Sequence, residues 1–245
     1  MSEATPDKIR AWLEWYHQLY GGEYFVEETL LEVSPDSSSQ TDVAAKVKPA
    51  PANANTELQK YRREIENCPK CSLCETRTNF VFGVGNEAAD IMFVGEAPGR
   101  DEDLQGLPFV GRAGQLLNQL LARVGLKRDD VYIANILKCR PPNNRDPKPN
   151  EVAECLPYLH RQIELIQPKM LVALGRIAGQ NLLGRADSLT KMRRKLWTYQ
   201  NTPMIVTFHP AYILRNGNMM GEAEAEMRMV VAEYQKLLAS NEGAG

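Results

Sequence analysis

Four cysteines stand out by spacing: Cys68 and Cys71 in CPKC, then Cys139 and Cys155, sixteen residues apart. A short CxxC turn brings two sulfurs near one centre, and a second pair from elsewhere could complete four-fold thiolate ligation. Sulfur-rich sets of this kind hold zinc or an iron–sulfur cluster, and the spacing does not choose between them. Cys74 forms a second, overlapping CxxC with Cys71, so one of these two pairs is coincidental. Two further stretches could do chemistry of another kind. GEAPGR (residues 95–100) is a tight glycine-flanked turn carrying an acid, and HPAYILR (residues 209–215) holds one of the chain's three histidines. The combination points to a metal-stabilised enzyme whose reactive site is separate from the metal.

These residues need elements to place them. DIMFVGEAPG reads as a buried strand ending in a tight turn, and DVYIANILKC, KMLVALG and residues 203–208 as three more. Between them lie helical patterns: LQKYRREIENC, AGQLLNQLLARVG with Gly125 at its end, EVAECLPYLHRQIELIQ carrying Cys155, a helix from Ile177, and a last one from Glu222 to Leu238. Apolar strands alternating with helices predict a parallel sheet covered on both faces, the α/β class. Sites in such sheets gather at the carboxyl ends of the strands. Glu96, Asn135 and His209 all fall at such ends.

The chain has 245 residues, enough for one sizeable domain and an appendage. Its formal charge is −2, but unevenly spread: residues 1–60 carry five basic and ten acidic side chains, leaving the remainder mildly basic. A polyanion is therefore an admissible partner. Residues 5–20 read as a helix in which Ile9, Leu13, Tyr16 and Tyr20 recur at helical spacing and Trp12 and Trp15 widen that face, which packs on the body or meets a partner. Residues 34–57 read as a Ser-, Pro- and Ala-rich linker, so the expected organisation is an extension over 1–33, the linker, and a folded body over 58–245. The opening MSEATPDKIR is no signal peptide, and no apolar run reaches the roughly 18 residues of a membrane span. A cytoplasmic protein that meets no membrane is expected.

Several ordered stretches resemble the iron–sulfur, or family 4, uracil-DNA glycosylases: CPKCSLCETRT, VFGVGNEAADIMFVGEAPGRDED, GLPFVGRAGQLLN, VYIANILKCRPPNNRDP and HPAYILR. The resemblance spans roughly residues 58–240. It implies a three-layer α/β/α fold around a four-stranded parallel sheet. It also implies a [4Fe–4S] cluster on Cys68, Cys71, Cys139 and Cys155, structural rather than catalytic, with Cys74 at a position the family does not use as a ligand. The implied activity is monofunctional excision of uracil from single- or double-stranded DNA, leaving an abasic site for base-excision repair. The long acidic opening departs from compact members and suggests a contact with a repair or replication protein.

The same resemblance assigns residues. The GEAPGRDED loop would bind uracil through Gly95 and Ala97, with Glu96 as the first acid to position water or support positive charge on the sugar, and Glu102 and Asp103 as alternatives. Phe109 would floor the pocket by stacking on the flat base. The Asn135 amide can accept from uracil N3–H and donate to O4, a pattern cytosine reverses. A neutral His209 would donate to O2 as charge grows on the leaving base. Leu214 and Arg215 would meet opened DNA. Arg140, Arg145 and Lys148, and the run of Lys191, Arg193, Arg194 and Lys195, could contact phosphates without reading sequence.

Overall fold

The computed structural model describes residues 56–242. The expected helix over 5–20, the acidic extension and nearly all of the linker lie outside the described residues.

Helix α1 (Glu57–Ile65) is capped by Thr56, whose Oγ1 accepts the Gln59 N–H at 3.2 Å. Two short elements follow, β1 (Val84–Gly85) and β2 (Ile91–Gly95), then α2 (Arg100–Gln105) and α3 (Arg112–Arg123). β3 (Tyr132–Asn135) leads to α4 (Pro149–Ile166), and β4 (Met170–Leu174) to α5 (Arg176–Leu183) and α6 (Leu189–Met192). The chain closes with β5 (Leu196–Tyr199), β6 (Thr202–Thr207), α7 (Pro210–Arg215) and α8 (Met220–Glu242).

The sheet runs β1-β3-β2-β4-β6-β5. Its four inner strands are parallel, and the two outer ones pair antiparallel with their neighbours. All four strands expected from the sequence form that parallel centre. The antiparallel margins were not foreseen. β1 has only two residues, and β5 directly follows the basic run at 191–195, whose charges point to phosphate contacts rather than to the approach of a strand.

Side-chain alternation divides the core in two. Met92, Val94, Ala134, Leu171, Ala173 and Val206 pack on one face with Leu58, Leu159 and Ile163 from α1 and α4. Ile91, Phe93, Ile133, Val172 and Ile205 pack on the other with Leu117 and Leu121 of α3 and Val230 of α8. Period-two alternation with both faces apolar is what a doubly covered parallel sheet requires, and the result is the α/β/α sandwich. Register then aligns the strand ends: Gly95 sits opposite Asn135, and Leu174 opposite Thr207. Glu96 is thus one residue past its strand, Asn135 closes its own, and His209 lies two residues past β6.

Candidate active site

A cavity of about 380 Å³ opens at these carboxyl ends. Glu96, Ala97, Glu102, Phe109, Asn135, His209, Arg145 and Arg215 all line it. Gly95 lies directly behind: a Cβ there would stand 2.3 Å from Asn135 Oδ1 and 2.6 Å from the Phe109 ring, so only glycine permits this approach.

Asn135 is 2% exposed, and its Oδ1 is buried with no hydrogen-bond partner. An unpaired buried acceptor costs about 1–3 kcal/mol, and is repaid when a ligand brings a donor. Phe109 is buried beside it with φ of 52°. The Arg128 guanidinium donates to Phe109 O at 3.1 Å and Pro108 O at 2.6 Å, pinning this left-handed turn. The Phe109 and His209 rings lie 5.6 Å apart at 33°.

His209 caps α7. Its Nδ1 accepts the Ala211 N–H at 3.1 Å, so in the neutral ring the proton sits on Nε2. Burial, with a smaller contribution from the Arg215 charge, pushes its pKa down to about 4. The imidazole is therefore neutral at pH 7 and still a donor. Behind it Gly175, with φ of 93°, gives room: a Cβ there would meet the His209 Cβ at 2.8 Å.

The two candidate acids differ. Glu96 is pushed up to about 7, chiefly by burial and then by Asp146, with Arg176 opposing. Glu102 is occupied. One of its oxygens accepts the Gly99 N–H at 3.1 Å, and the other accepts the Val110 and Gly111 N–H groups, each at 3.0 Å. This carboxylate ties the Glu96 loop to the Phe109 loop. Asp103 does related work next door, accepting the Thr78 N–H at 2.9 Å.

The basic candidates separate as well. Arg145 forms a two-pronged pair with buried Glu151. Arg140 Nε donates to Asn144 at 2.7 Å, and Lys148 is exposed at the start of α4. Lys191, Arg194 and Lys195 are exposed but not part of the cavity lining. Arg193 is turned inward, onto Glu222 and Glu226 of α8. Leu214 is half-buried and Arg215 exposed, both on α7.

The cysteine expectation is corrected. Among the described residues, no group of three or more His, Cys, Asp or Glu side chains is placed to hold a metal ion. The [4Fe–4S] assignment to Cys68, Cys71, Cys139 and Cys155 does not stand on this geometry, and no chemistry is routed through such a group. The thiols have other partners. Tyr158 Oη donates to Cys68 at 3.1 Å, Arg77 to Cys139 at 3.3 Å, and the Lys138 N–H to Cys155 at 3.2 Å. Cys139 and Cys155 are buried, and burial pushes both thiols up, Cys155 to about 12. Sequence spacing reports how far apart residues lie along the chain, whereas ligation needs distances that the intervening core decides.

Sequence reasoning missed Arg128, whose partners lie about twenty residues upstream in a loop. It missed the Asp146–Arg176 pair (2.8 Å) beside Glu96 for the same reason. Lys138 carried a readable signal, a lone charge inside the apolar run YIANILKC. It is fully buried and donates to Asn135 O at 2.9 Å and Gln162 Oε1 at 2.6 Å.

A family model described as the uracil DNA glycosylase superfamily matches residues 82–233. The chain is 49% identical over 176 residues to the type-4 uracil-DNA glycosylase of Archaeoglobus fulgidus, an alignment covering 69% of this chain and 88% of that protein. It is 46% identical over 182 residues to the type-4 enzyme of Sulfurisphaera tokodaii, covering 71% and 83%. It is also 46% identical over 171 residues to that of Thermotoga maritima, covering 69% and 86%.

Proposed function

This chain belongs to the uracil DNA glycosylase superfamily, and from that premise we propose that it hydrolyses the N-glycosidic bond of deoxyuridine in DNA. It releases free uracil and leaves an abasic site, the first step of base-excision repair. The observation that carries the reading is the unpaired, buried Asn135 Oδ1 in a cavity walled by the Phe109 and His209 rings.

The uracil nucleotide first leaves the base stack, at a cost of a few kcal/mol. Its ring lies on Phe109. Asn135 Oδ1 accepts from N3–H; cytosine offers no proton at N3, so the acceptor would stay unpaired and buried. As the C1′–N1 bond breaks, its electron pair moves onto uracil and charge grows at O2. His209 Nε2–H faces that oxygen, and its hydrogen bond strengthens with the charge. The imidazole remains neutral throughout. The sugar passes toward an oxocarbenium ion, which the Glu96 carboxylate favours. Water adds to C1′ and gives its proton to Glu96, and the departing uracil anion is reprotonated from solvent. Glu102 holds the two loops in register and touches neither base nor sugar.

Around the cavity, Arg145 and Arg215 meet phosphates of the opened strand, Leu214 fills the space the base vacates, and Arg140, Lys148, Lys191, Arg194 and Lys195 extend the contact along the backbone. Single- and double-stranded DNA both serve as substrate. The finer parts of the reading are cytoplasmic residence, an organisation of 1–33, 34–57 and 58–245, and recruitment of a repair or replication protein by the opening segment. Among the described residues, no helix is long and apolar enough to cross a membrane. Uracil release from end-labelled single- and double-stranded oligonucleotides tests the activity. Free uracil with an uncut abasic strand is the expected result; no release from either substrate would overturn it.

A further inference from the structure

Among the described residues, Leu104, Leu107, Leu196 and Tyr212 are the large apolar side chains left exposed, and of these four only Tyr212 is aromatic. It does not stand loose. Its ring stacks on Phe208, with centroids 5.3 Å apart and planes 9° from parallel. Over the Phe208 ring lies the Arg193 guanidinium, 3.4 Å from its centroid. That guanidinium is fixed in turn by carboxylates of α8: Arg193 Nε donates to Glu226 at 2.7 Å and Arg193 Nη2 to Glu222 at 2.8 Å. Glu226 is 2% exposed and also accepts from Thr207 Oγ1 at 2.6 Å.

The result is a braced stack of carboxylate, guanidinium, ring and ring, rooted in the core and ending at the surface. Such bracing removes most of the conformational freedom that an exposed tyrosine would otherwise lose on binding. The stack ends beside the cavity. Ala211 and Arg215, on either side of Tyr212 along α7, both line it, and Arg215 is one helical turn further on. A flat π face next to a cation is the pairing that holds a strand of nucleic acid, base on ring and phosphate on guanidinium, without regard to sequence.

We propose that Tyr212 is a stacking platform for the nucleobase adjacent to the extruded uracil, with the Phe208–Arg193–Glu226 column holding it rigid. This deepens the glycosylase reading and rests on it. It also gives Arg193 a role other than a phosphate contact: its charge is spent inside the column.

The test uses the full chain and a single-stranded oligonucleotide in which 2′-fluoro-deoxyuridine, resistant to hydrolysis, replaces deoxyuridine. 2-Aminopurine is placed on its 5′ or 3′ side. Wild type quenches the probe at one of these positions, because stacking quenches it. Tyr212→Phe quenches equally. Tyr212→Ala and Tyr212→Leu abolish the quenching and weaken binding by about 5- to 150-fold, the loss expected for one base–aromatic stack. Leucine still covers Phe208, so its failure together with alanine's assigns the effect to the ring rather than to a damaged fold. Undiminished quenching in the leucine variant, or no quenching at either position in wild type, would overturn the platform. Uracil release by wild type from the unmodified oligonucleotide is measured alongside. Release without flanking-base quenching sinks the platform alone, whereas no release sinks the glycosylase reading and the platform with it.

Discussion

His209 and Asn135 exert their effects at single atoms, and their substitutions should separate chemistry from binding. His209→Ala removes the donor at O2 and should slow single-turnover uracil release by about 10²–10³-fold, the usual loss for one such donor. Asn135→Ala should slow it by a similar order while affinity for undamaged DNA changes little; equal losses in both assays would refute the assignment. Protonation offers a second handle. Glu96 titrates at about 7 and His209 at about 4, so the rate should rise with pH through about 7 and show no limb near 6.5 from the histidine. Glu96→Gln should flatten that limb. The two groups also affect stability with opposite signs. Between about 4 and 6.5 the unfolded chain holds more protons at His209, so this group makes stability rise with pH. Between about 4.5 and 7 the folded chain holds more protons at Glu96, so that group makes stability fall with pH. Glu96→Gln should therefore raise the melting temperature at pH 8 relative to wild type and leave it nearly unchanged at pH 4.5. A melting shift of equal size at both values would contradict the buried, high-pKa carboxyl.

At the scale of elements, the cavity is made by loops that were only partly legible. The four parallel strands were readable because each is a short apolar run, and three of them hand over to Glu96, Asn135 or His209 at their ends. What holds the intervening loops was not readable, since it depends on pairings between distant turns. Arg128 is the clearest case: a single exposed-looking basic residue after α3 fixes the Pro108 and Phe109 carbonyls. Arg128→Ala should destabilise the fold by roughly 2–3 kcal/mol, in line with hydrogen bonds to a charged group. It should also lower kcat at least tenfold, because Phe109 would be free to leave its left-handed turn. Urea unfolding and steady-state release on the same preparation would check both. The basic run at 191–195 shows the opposite failure. Composition makes its cations look equivalent, yet the fold turns Arg193 inward and leaves Lys191 and Lys195 exposed. The cysteines failed for a third reason: spacing along the chain did not establish the shared geometry that ligation needs, and among the described residues no group of three or more His, Cys, Asp or Glu side chains is placed to hold a metal ion.

At the largest scale, the described residues place two cores on opposite faces of one sheet and the cavity at the carboxyl ends of its strands. Among the described residues, those that line the cavity come from positions 96–215, and the described fold begins at Thr56. Removing residues 1–55 should accordingly leave uracil release in vitro within about twofold of the full chain. A larger loss would show that the opening segment takes part in catalysis or folding. The margins of the sheet carry one further consequence. A parallel sheet of four apolar strands would otherwise present long open backbone edges, each a template for a neighbouring copy. Here one edge is capped by a two-residue strand and the other by a four-residue strand entered through Arg194 and Lys195. Edge-to-edge growth has too little strand length on either margin to propagate. Concentrated or crowded solutions of this protein should therefore resist strand-mediated aggregation, although the interior of its sheet is almost wholly apolar.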